Sequence, residues 1–212
     1  MAAGAMHLVL LGDSVFDNAA YVGGGPDVAA QLAPLLPRGW RATLLAVDGA
    51  VIDDVPRQLA RLPADATRLV LSVGGNDALR HVGLLDRPAR SSAEVLGWVA
   101  DAVAAFEARY RRLLAAVLAC GVPPTLCTIY NGNLGPPAHR LAATVLAVFD
   151  DAIVRAAVAH ALPVIDLRLV CTEPADYANP IEPSVQGGAK IARAIVAAAV
   201  ADAPTGARVR GG

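Results

Sequence analysis

The chain reads as a doubly wound parallel α/β domain, and two observations predict it. Five short apolar runs, at 8–11, 41–47, 68–73, 124–129 and 162–167, alternate with segments of helical period. No linker, composition break or internal repeat interrupts the 212 residues. Residues 1–202 are therefore expected to form one domain, and residues 203–212 a flexible C-terminal tail.

Composition narrows the class. Hydrophobic residues make up 55% and charged residues 17%, which is not the balance of a disordered chain. Eighteen basic and 19 acidic residues leave a net charge of −1, with no long run of either sign, so no nucleic-acid footprint is expected. No apolar run approaches the roughly 18 residues that a membrane span needs. The Leu8–Leu11 run has no basic segment ahead of it and meets Gly12 at once, so it reads as a strand rather than a signal peptide. The three cysteines, Cys120, Cys127 and Cys171, lack metal spacing and read as buried thiols in a reducing cytoplasm. A cytoplasmic location is expected. The oligomeric state is not legible.

The elements follow in order. Met6 to Leu11 is strand one, and its carboxyl end runs into Gly12-Asp13-Ser14. The Gly23–Gly25 triplet neither follows a strand directly nor has dinucleotide spacing, so it reads as a loop beside the site, ahead of a helical stretch to Leu36. Arg41 to Val47 is strand two, ending in Asp48-Gly49-Ala50; a short helix from Asp53 carries Pro56 in its first turn, where proline is tolerated. Arg68 to Val73 is strand three, ending in Gly74-Gly75-Asn76-Asp77, and Ala78 to Arg90 reads as a loop bordering the site. Ser91 and Glu94 have capping-box spacing for a helix from Ser92 to Ala119, which Gly121 ends. Pro124 to Ile129 is strand four, 131–137 a loop, His139 to His160 a helix, Leu162 to Leu167 strand five, and Cys171 to Pro183 a loop before the last helix at 184–200.

Ligands of open α/β sheets bind at the carboxyl ends of the strands. Ser14, Gly49 and Asn76 all fall on that edge. A serine placed there is a candidate nucleophile, and the Ser14 and Gly49 backbone N–H groups with the Asn76 amide can hold an oxyanion. Asp13 and Asp77 read as turn and structural residues; Asp17 and Asn18 read as lining the entrance. The pairs Asp53-Asp54 and Asp150-Asp151 read as solvated helix faces, and no His/Cys cluster suggests a metal. No cofactor is expected.

With Gly12-Asp13-Ser14, Gly49, Gly74-Gly75-Asn76-Asp77 and a last block running from Ile181-Glu182-Pro183-Ser184 through Gly187 to Ile191-Ala192, the chain resembles the SGNH (GDSL) hydrolase family. The resemblance implies a flavodoxin-like three-layer α/β/α sandwich with about five parallel strands. It implies a serine esterase that forms an acyl-enzyme on a small-molecule ester or acyl substrate. Ser14 would be the nucleophile, and Ser14, Gly49 and Asn76 the oxyanion hole.

The last block departs from the family. It usually reads Asp-x-x-His-Pro, whereas this chain has Asn179-Pro180-Ile181-Glu182-Pro183. Glu182 stands where the general-base histidine belongs, and Asn179 stands in place of its aspartate partner. An amide can donate N–H to a carboxylate, so Asn179 is expected to orient Glu182. A glutamate is roughly two pKa units weaker as a base than a histidine, and burial recovers part of the difference. His81, in the loop after Gly74–Asp77, and His139, at the end of the 131–137 loop, are alternative bases on the same edge. His7 lies at the wrong end of strand one. Two readings stand: an ester hydrolase with an atypical Glu base, or a weak or inactive pseudo-hydrolase that binds an acyl or acetylated ligand.

Overall fold

A computed structural model describes residues 6–200 and the backbone of residues 209–210. The first strand, β1 (His7–Gly12), is buried along its whole length, as a strand covered on both faces must be. β2 (Arg41–Leu44), β3 (Arg68–Ser72), β4 (Pro124–Cys127) and β5 (Val164–Ile165) join it in the order β2-β1-β3-β4-β5, every pair parallel. This is the flavodoxin-like order, with its switch point between β1 and β3. A sixth strand, β6 (Val209–Arg210), pairs parallel with β5. The expectation of a flexible tail over 203–212 is corrected at these two residues; 203–208 and 211–212 lie outside the described residues.

Alternation along β1 sorts the chain into layers. Leu8 and Leu10 face a core shared with α1 (Val28–Leu32) and a C-terminal helix. Val9 and Leu11 face the opposite core, built by α2 (Val55–Leu59) and by two long helices. Between β3 and those helices runs α3 (Gly75–Leu79), so the glycine-rich Gly74–Asp77 block opens a helix rather than a loop. The first long helix is α4 (Ser92–Ala119), whose start is capped as its spacing predicts: Ser91 Oγ accepts from Glu94 N at 3.2 Å. α5 (Ala138–Ala159) lies against it, and Phe106, Tyr110 and Phe149 pack between them. After β5 comes a short helix, α6 (Leu167–Val170), which the continuous apolar run at 162–167 does not reveal. The last helix is α7 (Val185–Val200). No helix among the described residues is long and apolar enough to cross a membrane.

Two buried polar devices shape the carboxyl edge. Gly12 has φ +127°, and a Cβ there would lie 1.7 Å from the Ser72 carbonyl oxygen, so only glycine lets β1 leave the sheet beside β3. The buried Gln58 amide clasps the same residue: Gly12 N donates to Oε1 at 2.8 Å and Nε2 donates to the Gly12 carbonyl at 2.7 Å. On the other side of the sheet edge, Asp150 is fully buried and accepts from Ile129 N at 2.7 Å. This corrects the reading of Asp150-Asp151 as a solvated pair; only Asp151, bonded to Arg155, is exposed. Arg168 lies 3.6 Å from Asp150 but spends its closest contacts on Asp166, at 2.8 and 2.6 Å. Burial therefore outweighs that cation and pushes the Asp150 carboxyl up to about 7. Two thiols, Cys127 and Cys171, are buried as expected, but Cys120 ends the solvent side of α4 and is exposed.

Two stability outcomes follow. Gln58→Leu removes the partner of the Gly12 N–H while keeping the volume, and should lower the unfolding free energy by about 1–3 kcal/mol in a urea titration. A buried acid with a raised folded pKa binds a proton that the unfolded chain has released. Its contribution is present at low pH and is lost as pH rises toward about 7. The wild type should therefore lose stability between pH 5 and 8, and Asp150→Asn should reduce that loss by on the order of 2 kcal/mol. Parallel urea curves for the two proteins across that range check this.

Candidate active site

The edge between β1 and β3 brings the three sequence blocks together. Asp13 N donates to the Ser72 carbonyl at 3.1 Å, and the Asp13 carboxylate accepts from Val15 N at 3.1 Å, so residues 13–16 close into a tight turn. Ser14 stands at its tip and is buried. Its own N–H has no hydrogen-bond partner among the described residues.

The Gly49 turn is tied in from both sides. Asp48 N donates to Asp17 Oδ2 at 2.9 Å, and the Ala50 carbonyl accepts from Asn76 Nδ2 at 3.0 Å. Gly49 sits between these anchors at φ +76°, a conformation that favours glycine, and its N–H also has no partner among the described residues. One hydrogen of the Asn76 amide is used on Ala50, and Asn76 lines the cavity. Behind Asn76, the buried Asp77 accepts from Ile52 N at 3.0 Å and lies 2.6 Å from Arg109, which fits the structural role expected of it.

The last block arrives on a small hairpin. Tyr177 and Pro183 form an antiparallel bridge, and Ala178 N donates to the Glu182 carbonyl at 2.8 Å. The Asn179 side-chain oxygen accepts from Ile181 N and Glu182 N, each at 3.0 Å. The expected amide-to-carboxylate bond is therefore not made. An Asx turn that begins three residues ahead of Glu182 captures the Asn179 side chain, which holds the Glu182 backbone and is itself exposed. The hairpin is held from three further directions. Tyr130 Oη donates to the Ile181 carbonyl at 2.6 Å, Asn18 Nδ2 donates to the Pro183 carbonyl at 3.1 Å, and Asn133 N donates to the Pro180 carbonyl at 2.8 Å. Asn18, expected at the entrance, is instead fully buried and also accepts from Val28 N.

These anchors place Glu182 in the wall of one cavity with Ser14, Asn76, Asp13 and His81. Glu182 is buried, and its Oε2 has no hydrogen-bond partner among the described residues. Burial pushes its carboxyl above the usual range, while the neighbouring Ser14 hydroxyl pulls it back as a hydrogen-bonding partner. Asp13, more deeply enclosed, is pushed up to about 7 by burial first and by the Glu182 and Asp77 charges second. A negative charge on Glu182 makes a second charge on Asp13 more costly.

Of the remaining sequence candidates, His81 shares this cavity and lies against Phe149, with ring centroids 6.2 Å apart. His139 is exposed in the first turn of α5 and is not part of the cavity wall. His7 is bonded to Thr43 and Asp65 at the amino end of β1, as expected. Gln58, Tyr130 and the buried role of Asn18 were not legible. An isolated Gln in an amphipathic helix reads as surface, and only the position of Tyr130 just beyond β4, on the ligand edge, hinted at its part.

The cavity measures about 180 Å³, and most of its surface is apolar. Comparison with solved structures agrees with this architecture. An extracellular lipase from Streptomyces rimosus superposes with a TM-score of 0.68 at 18% identity, covering 92% of this chain and 100% of the lipase. A phospholipase A1 from Streptomyces albidoflavus gives 0.67 at 17% identity over the same shares. An acetylxylan esterase from Geobacillus stearothermophilus gives 0.61 at 19% identity, covering 94% of this chain and 96% of the esterase. No curated protein matches the chain. The GDSL-like lipase/acylhydrolase family matches residues 10–189, from the first strand through the last block. On that match across most of its length, the chain belongs to the GDSL-like lipase/acylhydrolase family of ester hydrolases.

Proposed function

We propose that the protein hydrolyses carboxylic esters through an acyl-enzyme on Ser14, with Glu182 as the base. The observation that carries this reading is the burial of a partner-free Glu182 oxygen in the same cavity wall as Ser14. Glu182 takes the hydroxyl proton as Ser14 Oγ bonds the carbonyl carbon. The charge that develops on the carbonyl oxygen is met by the Ser14 and Gly49 N–H groups and the free hydrogen of Asn76 Nδ2. The C–O bond then breaks, Glu182 returns its proton to the departing alcohol, and Ser14 remains acylated. Water enters from the open side, gives its proton to Glu182 and releases the acid, and Ser14 recovers its hydrogen.

A second reading rests on a different observation. In the histidine enzymes a carboxylate orients the base, whereas here Asn179 is used on the backbone and no side chain among the described residues orients the Glu182 carboxyl from behind. A site so supported suits binding of an acyl ligand without turnover.

A fluorophosphonate probe separates the two. Labelling that disappears in Ser14→Ala, and falls by a factor on the order of 10²–10⁴ in Glu182→Gln, supports the hydrolase. Failure of the wild type to label anywhere between pH 5 and 9 favours the binding protein. The acid limb of kcat/KM for a short-chain ester should lie above the ordinary glutamate range, because the base must be ionised and burial raises its pKa. In Asp13→Asn the adjacent acid no longer ionises. The wild type should then show a second change near pH 7 that the variant lacks, and a pH–rate profile of both checks it.

A further inference from the structure

Resting on the hydrolase reading above, the geometry points to the acyl half of the substrate: we infer that the cavity is an apolar slot for an unbranched acyl chain of roughly six to eight carbons. Its floor is the carboxyl ends of β3 and β4, with Ser72, Val73 and Thr128 among its lining residues. Beyond Ser14 and Asn76 it extends away from the Gly49 turn, between the Leu79–Leu85 segment, α4 and α5. Val82, Leu84, Val99, Ala102, Val145 and Phe149 wall this end.

Volume sets the length. A cavity of about 150 Å³ lined by apolar side chains holds a benzene molecule. One of about 180 Å³ is far larger than the single methyl of an acetyl group, and would stand mostly unfilled behind it. A chain of sixteen carbons exceeds it.

The direction of binding follows from the reaction. After the first step the acyl group stays on Ser14 while the alcohol leaves and water takes its place. The alcohol side must therefore be open to solvent. Asp48, Gly49 and Asn179 are exposed around that side, whereas the slot runs between α4, α5 and the Leu79–Leu85 segment. A second observation agrees. Leu79, Val82 and Leu85 line the slot yet are 43%, 59% and 43% exposed, an apolar rim that an acyl chain would cover. Ala102 and Ala142, small residues on α4 and α5, keep the far end open.

Each methylene buried in such a slot should raise kcat/KM about three- to fivefold. With p-nitrophenyl esters the leaving group is constant. The wild type should rise by at least a hundredfold from acetate to hexanoate or octanoate and fall again at palmitate. Octyl acetate, with the chain on the alcohol, should gain nothing over ethyl acetate. Ala142→Phe, at a half-buried position, fills the slot and should cut the octanoate-to-acetate ratio at least tenfold. Octanamide, a neutral mimic that is not turned over, should raise the melting temperature of both the wild type and Ser14→Ala, and acetamide should not.

The arms keep the two readings apart. Stabilisation by octanamide without hydrolysis of any ester upholds the slot and removes the hydrolase. Hydrolysis that peaks at acetate, or that follows the alcohol chain, with no octanamide effect overturns the slot and leaves the hydrolase standing. Should Ala142→Phe not fold, the ester series and the amide shift on the wild type decide by themselves.

Discussion

Everything at the ligand edge depends on how closely β1 passes β3 at Gly12. A Cβ at that residue would fall inside the Ser72 carbonyl, so the two strands reach their common end at a spacing only glycine permits. The Gln58 amide then satisfies the Gly12 N–H and bonds its carbonyl in a region closed to water, where an unpaired N–H would be costly. The turn that follows has no freedom to drift. Asp13 N remains bonded to Ser72, the Asp13 carboxylate folds the turn, and Ser14 is presented with its N–H unused. Placement of the serine is thus a property of the sheet, and the side chains around it only refine that placement.

The partner of the serine is held by a different logic. Glu182 lies on a hairpin that belongs to neither helix layer, and bonds from Tyr130, Asn18, Asn133 and Asn179 all fall on the backbone of that hairpin. The carboxyl itself is positioned only by enclosure and by its neighbour Ser14. Burial does two things at once here: it makes the carboxylate a stronger base, and it makes a second charge beside it expensive. Asp13 bears that second cost and stays protonated to about pH 7.

Much of this was legible in the residues. Apolar runs that stop at Gly12 and Gly74 located the ends of β1 and β3, and the Ser91–Glu94 spacing located the start of α4, since both signals are local; β2 ends at Leu44, short of the expected Val47. The misreadings arose where a local pattern met a distant partner. Asp150 looks solvated in a helix rich in alanine, but Ile129 N needs an acceptor and the helix delivers one. Asn179 looks able to serve Glu182, but its own turn claims the side chain first. Val209–Arg210 looks like a frayed end, but the open edge of β5 offers it a ladder.

By itself, the sequence determined the alternation of strands and helices of a parallel α/β domain, the serine on the strand-one turn and the unusual Asn179/Glu182 block, because each is written in contiguous residues with their own backbone preferences. Only the tertiary structure decided that Glu182 is buried beside Ser14, that Asp13 shares its enclosure, and that an apolar slot opens between α4, α5 and the Leu79–Leu85 segment. Burial and ionisation depend on what other parts of the chain bring to the same few ångströms. No local pattern carries that information.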